Sequence, residues 1–197
     1  MITKPSNWDS VQAFSDRPKL PVGAYVCKVK QAVVQHSDYG EQLCLLVDIT
    51  EGEYAGFYQD EFETNQMKDK KWKGVLRQFL PKDDGSEKDE WTKSSFKGMV
   101  TAFENSNPGF VWDWSEKSFV GKEVGIIFRN EEWEYNGKTG WAVRPFRATS
   151  VSTVQSGNYT LPQNKPLKNK AADSFGAVPP AADDFAIMDD ASADLPF

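Results

Sequence analysis

The sequence predicts a mainly β domain, interrupted by helices and followed by a polar tail. Three observations carry that expectation. Short β-rich runs recur near both ends of the first 154 residues, two segments between them switch to a helical apolar period, and the periodicity stops at about Gln155. With 197 residues, 39% hydrophobic and 13% aromatic, the chain has enough apolar surface for one core of ordinary size.

Residues 1–20 offer isolated aromatics, Trp8 and Phe14, suited to an edge extension. The first strand is GAYVCKVKQAVV, with Cys27 and Val29 on one face and Lys28 and Lys30 on the other. A polar loop around Gly40 leads into QLCLLVDIT, apolar enough for burial on one face or both. After the glycine turn EGEYAG, FYQDEFE alternates and predicts a third strand, which completes a meander. Trp72, Val75, Leu76 and Phe79 then fall at i, i+3, i+4 and i+7, and so do Phe96, Met99, Val100 and Phe103. Two amphipathic helices are expected there, the first stopped by Pro81. Lys70, Lys71, Lys73 and Arg77 lie off the first stripe, as a solvated face or as phosphate contacts. From Lys122 to Val151 strand chemistry returns, and Asn136-Gly137 between aromatic and β-branched runs signals a hairpin. This order of elements is that of an OB-fold: a five-stranded OB-fold barrel with an enlarged two-helix insert before strand 4, occupying residues 1–154.

Composition narrows the function classes. No stretch has the length and apolarity of a membrane span, and MITKPSNWDSVQ lacks the pattern of a signal peptide, so a cytoplasmic protein is expected. Cys27 and Cys44 are too few for a disulfide framework, and a single histidine, His36, argues against a zinc site; both thiols are expected to be buried. Nucleophilic catalysis would rest on that one loop imidazole, so a non-enzymatic protein without cofactor or metal is expected. The net charge of −6 resides in the tail: Asp173, Asp183, Asp184, Asp189, Asp190 and Asp194 have no Lys or Arg among them, which leaves the body neutral. Overall acidity therefore says nothing against a local basic surface on the body.

The hairpin supplies such a surface. A two-residue turn at Asn136-Gly137 sets Tyr135 opposite Lys138, Trp133 opposite Gly140, Glu131 opposite Ala142, Arg129 opposite Arg144 and Ile127 opposite Phe146. Directly opposed residues share a face, so Arg129, Trp133, Tyr135, Lys138, Arg144 and Phe146 collect on one side. Ile126, Phe128, Trp141 and Val143 collect on the other, the expected core face. Two opposed arginines beside flat rings suit a single-stranded nucleic acid, whose phosphates meet the cations while its bases stack. Lys28, Lys30, Tyr39 and either Phe57 or Tyr58 extend this chemistry onto the first three strands, where OB-folds bind oligonucleotides. The alternative for the hairpin is structural: Trp133 shields Gly140, Glu131 pairs one arginine, and the face packs on a helix. A bulge at Pro145, which cannot donate to the ladder, would disturb the arginine pairing.

Residues 155–182 are rich in Gly, Asn, Pro, Gln, Ala and Asp, and are expected to form a disordered linker. Residues 183–197, DDFAIMDDASADLPF, end on an aromatic that a solubilising tail does not need. An OB-type body, a low-complexity linker and an acidic segment closing in Asp194-Leu195-Pro196-Phe197, with Asp189 and Asp190 before it, resemble bacterial and phage single-stranded DNA-binding proteins, whose tip ends in a similar Asp-Ile-Pro-Phe. The longer body is similar to phage members with a G-x-Y-x-x-x-V opening strand, matched by Gly23, Tyr25 and Val29. The resemblance implies a protein that coats single-stranded DNA and recruits replication, recombination or repair proteins. Phe197 would enter an apolar pocket on the partner, with Leu195, Pro196 and the aspartates beside it. It does not extend to an oligomeric state. Two rivals remain: an OB-like adaptor whose hairpin rings bind protein, and a metal-dependent nuclease using Asp83, Asp84, Asp89 and Glu90.

Overall fold

The computed structural model describes residues 3–6, 8–10, 19–37, 40–65 and 67–167. Strands β1 (Ala24–Ser37), β2 (Gly40–Ile49), β3 (Val75–Phe79), β4 (Glu123–Tyr135) and β5 (Lys138–Thr149) form one antiparallel sheet in the order β3-β2-β1-β4-β5. Helix α1 (Phe57–Thr64) precedes β3, α2 (Asp89–Ser106) precedes β4, and α3 (Val151–Ser156) follows β5. A mainly β fold is thus correct. Closure is not: the edge strands β3 and β5 lie near each other but share no ladder, so the sheet stays open where a closed barrel was expected.

Strand β1 serves two partners. Ala24–Lys28 pair with Ile127–Glu123 of β4, and Cys27–Ser37 pair with Ile49–Gly40 of β2. A register shift between Val29 and Gln31 lets one strand turn from the first partner to the second. Tyr25 packs edge-on against Tyr54 and Phe128 and donates its hydroxyl to the Pro21 carbonyl at 2.8 Å; burial, with the neighbouring Tyr54 phenol, raises its pKa to about 12. Gly23 and Tyr25 of the opening motif are therefore packing residues, the Gly23 carbonyl accepting from the Phe128 amide.

Two expected elements exchange character. FYQDEFE is helix α1, not the third strand, because Gly56 takes the left-handed φ of 77° and turns the chain out of the extended run. The Asp48 carboxylate, buried in β2, accepts from the amides of Ile49 and Tyr58 at 3.0 Å and so satisfies a donor in the first turn of α1. Val75–Phe79, expected as a helix, is strand β3. Val75 packs with Cys44 and Leu46 on one side of the sheet while Leu76 joins the main core on the other. A strand buried on both faces reproduced the spacing of a helical stripe. The insert before β4 accordingly holds one helix, α2, and a single helical turn at Glu116–Phe119.

Helix α2 matches its expectation, with Phe96, Met99, Val100 and Phe103 all buried against Phe119, Leu43, Leu45 and Ile126. Cys27 and Cys44 are buried thiols, and burial pushes both up in pKa, with Arg77 partly opposing the effect at Cys44. Trp8 is exposed, while Phe14 lies outside the described residues. Past the expected boundary at Val154 the chain remains hydrogen-bonded. Val154 and the Ser150 carbonyl lie so close to Gly125 that a Cβ there would meet them at 2.5 and 2.7 Å. Lys165 then exchanges backbone hydrogen bonds with Asn130 and Glu132 at 2.9 Å, a parallel bridge on the part of β4 that β1 leaves unpaired.

Candidate nucleic-acid interface

The turn at Asn136 and Gly137 has positive φ at both residues, 50° and 73°, the geometry that matches the strand twist in a two-residue hairpin. It fixes the register from the tip inward: Tyr135 meets Lys138, Trp133 meets Gly140, Glu131 meets Ala142 and Arg129 meets Arg144, as the sequence predicts. One pair differs. The ladder slips between Ile127 and Phe128, so Phe128 meets Pro145 and Ile127 meets Arg147 rather than Phe146. The proline bulge falls on the inner side of the arginine pair and leaves that pair intact.

A cleft of about 900 Å³ runs between this hairpin and the wall made by α1 and β3. Arg129, Trp133, Arg144 and Phe146 line it together. So do Trp72, Lys73 and Arg77 from the approach to β3 and β3 itself, and Trp141 from β5. Lys19, Lys73, Arg77, Arg129, Arg144 and Lys165 contribute cations, against the carboxylates of Glu61 and Glu131. Lys73 is matched to Glu61 at 2.5 Å and Arg129 to Glu131 at 2.6 Å. Arg144 has no ion pair or hydrogen bond to any side chain among the described residues. The Arg129 guanidinium also lies over the Phe146 ring, 4.0 Å from its centroid. Trp133 covers Gly140, where a Cβ would come within 2.7 Å of the indole. Both local elements of the structural alternative are therefore present, yet the face opens on a cleft rather than packing on a helix.

Among the described residues, the other expected site residues are not exposed in the cleft. Tyr135 and Lys138 sit exposed at the hairpin tip, outside the cleft lining. Tyr58 borders the cleft but is corrected from a surface ring to a core one: it is 3% exposed, stacks on Phe128 at 6.4 Å, and its phenol is pushed far up by burial. Lys28 and Lys30 are exposed on β1 but do not line the cleft; Lys28 stands opposite Asp48 in the ladder. Tyr39 and the tip residues Asp189, Asp190, Asp194, Leu195, Pro196 and Phe197 lie outside the described residues.

Trp141 was expected in the core and is 48% exposed in the cleft. The core does not extend beneath the whole hairpin: the continuous burial of β4 ends at Phe128. Trp72, expected in a helical core stripe, donates its indole N–H to the Val47 carbonyl at 3.0 Å and turns part of its ring to the cleft.

The three loop aspartates of the nuclease alternative serve the chain itself. Asp83 pairs with Lys93, Asp89 accepts from the Gly85 amide, and Ser86 holds Asp84 down at a pKa of about 2. Among the described residues no cluster of His, Cys, Asp or Glu is arranged to hold a metal ion, and no helix is long and apolar enough to cross a membrane. No protein-family model matches the chain, and no curated protein matches it.

Proposed function

We propose that this chain binds single-stranded DNA in the cleft between the β4–β5 hairpin and β3, without strong sequence preference and without catalysis. The observation that carries the reading is the opposed Arg129 and Arg144 inside a cleft that Phe57, Trp72, Trp133, Trp141 and Phe146 also line. Arg144, unmatched by any carboxylate among the described residues, suits a phosphate. Trp72, Trp133 and Trp141 offer flat surfaces to bases, and stacking tolerates any sequence because every base has a π-face. The strand order supports an OB-fold whose β3–β5 seam is unzipped, since β3 and β5 are the strands that must meet for the sheet to close. The C-terminal tip, Asp194 to Phe197, is read as the handle for replication, recombination or repair proteins in a bacterial host.

Titration with oligo-dT tests the reading, with tryptophan emission as the signal. Quenching that saturates, and affinity that falls linearly on a log–log plot against salt, is the expected result. An adaptor would instead capture protein through its hairpin rings while leaving tryptophan emission unchanged by oligo-dT at low salt, and that outcome would overturn the proposal.

A further inference from the structure

Arg129 occupies an unusual position in the cleft. Its guanidinium lies on the Phe146 ring, while Nε and Nη2 both donate to Glu131 Oε1, at 3.2 and 2.6 Å. Arginine and glutamate stand two residues apart on β4, each with only 14% of its side chain exposed. Three consequences follow from this geometry. The ring face that could stack on a base is covered. The cation that could meet a phosphate is already matched, and a fixed carboxylate stands where an anionic backbone would pass.

We propose that Arg129 is a latch on the DNA-binding cleft: an entering phosphate takes the guanidinium over from Glu131, and that one movement uncovers Phe146 for a base. The inference rests on the single-stranded DNA reading. The exchange is close to balanced, because a guanidinium donates to carboxylate and phosphate with similar fork geometry. Glu131 is then left beside a phosphodiester, so it opposes the bound state electrostatically. Arg144, directly across the ladder, carries no such restraint and would make the first contact.

The test compares Glu131→Gln, Arg129→Gln and Phe146→Leu in the full-length protein, using oligo-dT affinity, stopped-flow association and melting temperature. Glutamine keeps the size of Glu131 and an acceptor for Arg129 while removing the competing charge. Glu131→Gln should tighten binding roughly five-fold and speed association, since partly shielded ion pairs are worth about that factor. Arg129→Gln should weaken binding. In the Phe146→Leu background, which leaves no ring to uncover, the gain from Glu131→Gln should shrink. A purely structural pair predicts that Glu131→Gln lowers the melting temperature and leaves affinity unchanged or weaker; that result, with oligo-dT still bound by the unaltered protein, overturns the latch alone. If the unaltered protein binds no oligo-dT at any salt concentration, the latch and the DNA reading both fall.

Discussion

Arg129 and Arg144 share one rung of the hairpin, yet they should respond differently to substitution. Arg129 is held between a carboxylate and a ring, whereas Arg144 faces the cleft without an ion partner among the described residues. Replacing Arg144 by alanine removes one phosphate contact, so the slope of log affinity against log salt should fall by about 1. Stability should hold or rise slightly, because a like-charged cross-strand neighbour is gone. Melting curves and salt titrations of the same sample check both halves. Trp141→Ala should cost about 1–3 kcal/mol of oligo-dT binding through lost stacking, while Tyr135→Ala at the exposed tip should cost far less. Affinity measurements that rank them the other way would move the binding surface outward along the hairpin. The arginine pair was legible in the sequence because Asn136-Gly137 dictates register without reference to anything else in the fold. Trp141 was not, because whether a face is interior depends on where the core ends, and no residue in the hairpin encodes that.

At the level of elements, Asp48 shows how a buried charge organises its neighbours. Burial raises its carboxyl pKa, and hydrogen bonds from the backbone of Ile49 and Tyr58 offset part of that rise. The folded chain therefore binds this proton more tightly than the unfolded chain does. The contribution to stability is complete below the unfolded value, near pH 4, and is lost as pH rises through the folded pKa. Asp48→Asn mimics the protonated form and keeps an acceptor, so it should raise the melting temperature at pH 7 and flatten that part of the pH profile. Asp48→Ala removes the acceptor of the Ile49 and Tyr58 amides and should destabilise by about 1–2 kcal/mol. Thermal melts from pH 4 to 8 distinguish the two. The same region explains why α1 and β3 were read with their characters exchanged. Alternation in FYQDEFE is genuine, but the left-handed turn at Gly56 and the carboxylate of Asp48 nucleate a helix there, and Asp48 lies on a different strand. Val75 and Leu76 are adjacent and both buried, a pattern that fits either a helix face or a strand with apolar layers on both sides. α2, at 18 residues, repeats its period long enough to leave no such ambiguity.

For the whole molecule, the segment after α3 matters more than its composition suggests. Lys165 bridges the edge of β4 at Glu131, and Leu167 donates its amide to the Glu132 carboxylate at 3.0 Å. A chain ending at Leu167 should therefore melt like the full-length protein and bind oligo-dT more tightly at low salt, having lost an acidic competitor. A chain ending at Gly157 should melt lower and self-associate, because it bares an unpaired strand edge. Calorimetry with sedimentation would show the contrast. The change in direction of β1 at the Val29–Gln31 irregularity bears on a different property, the rate at which the protein forms. Its second half finds β2 through a short loop, but its first half must wait for β4, since Ala24 pairs with Ile127. Closing so long a loop is slow, and on the ribosome it is impossible until that strand has been synthesised. The nascent chain thus passes through an interval with half of its central strand unzipped, when its need of a chaperone should be greatest.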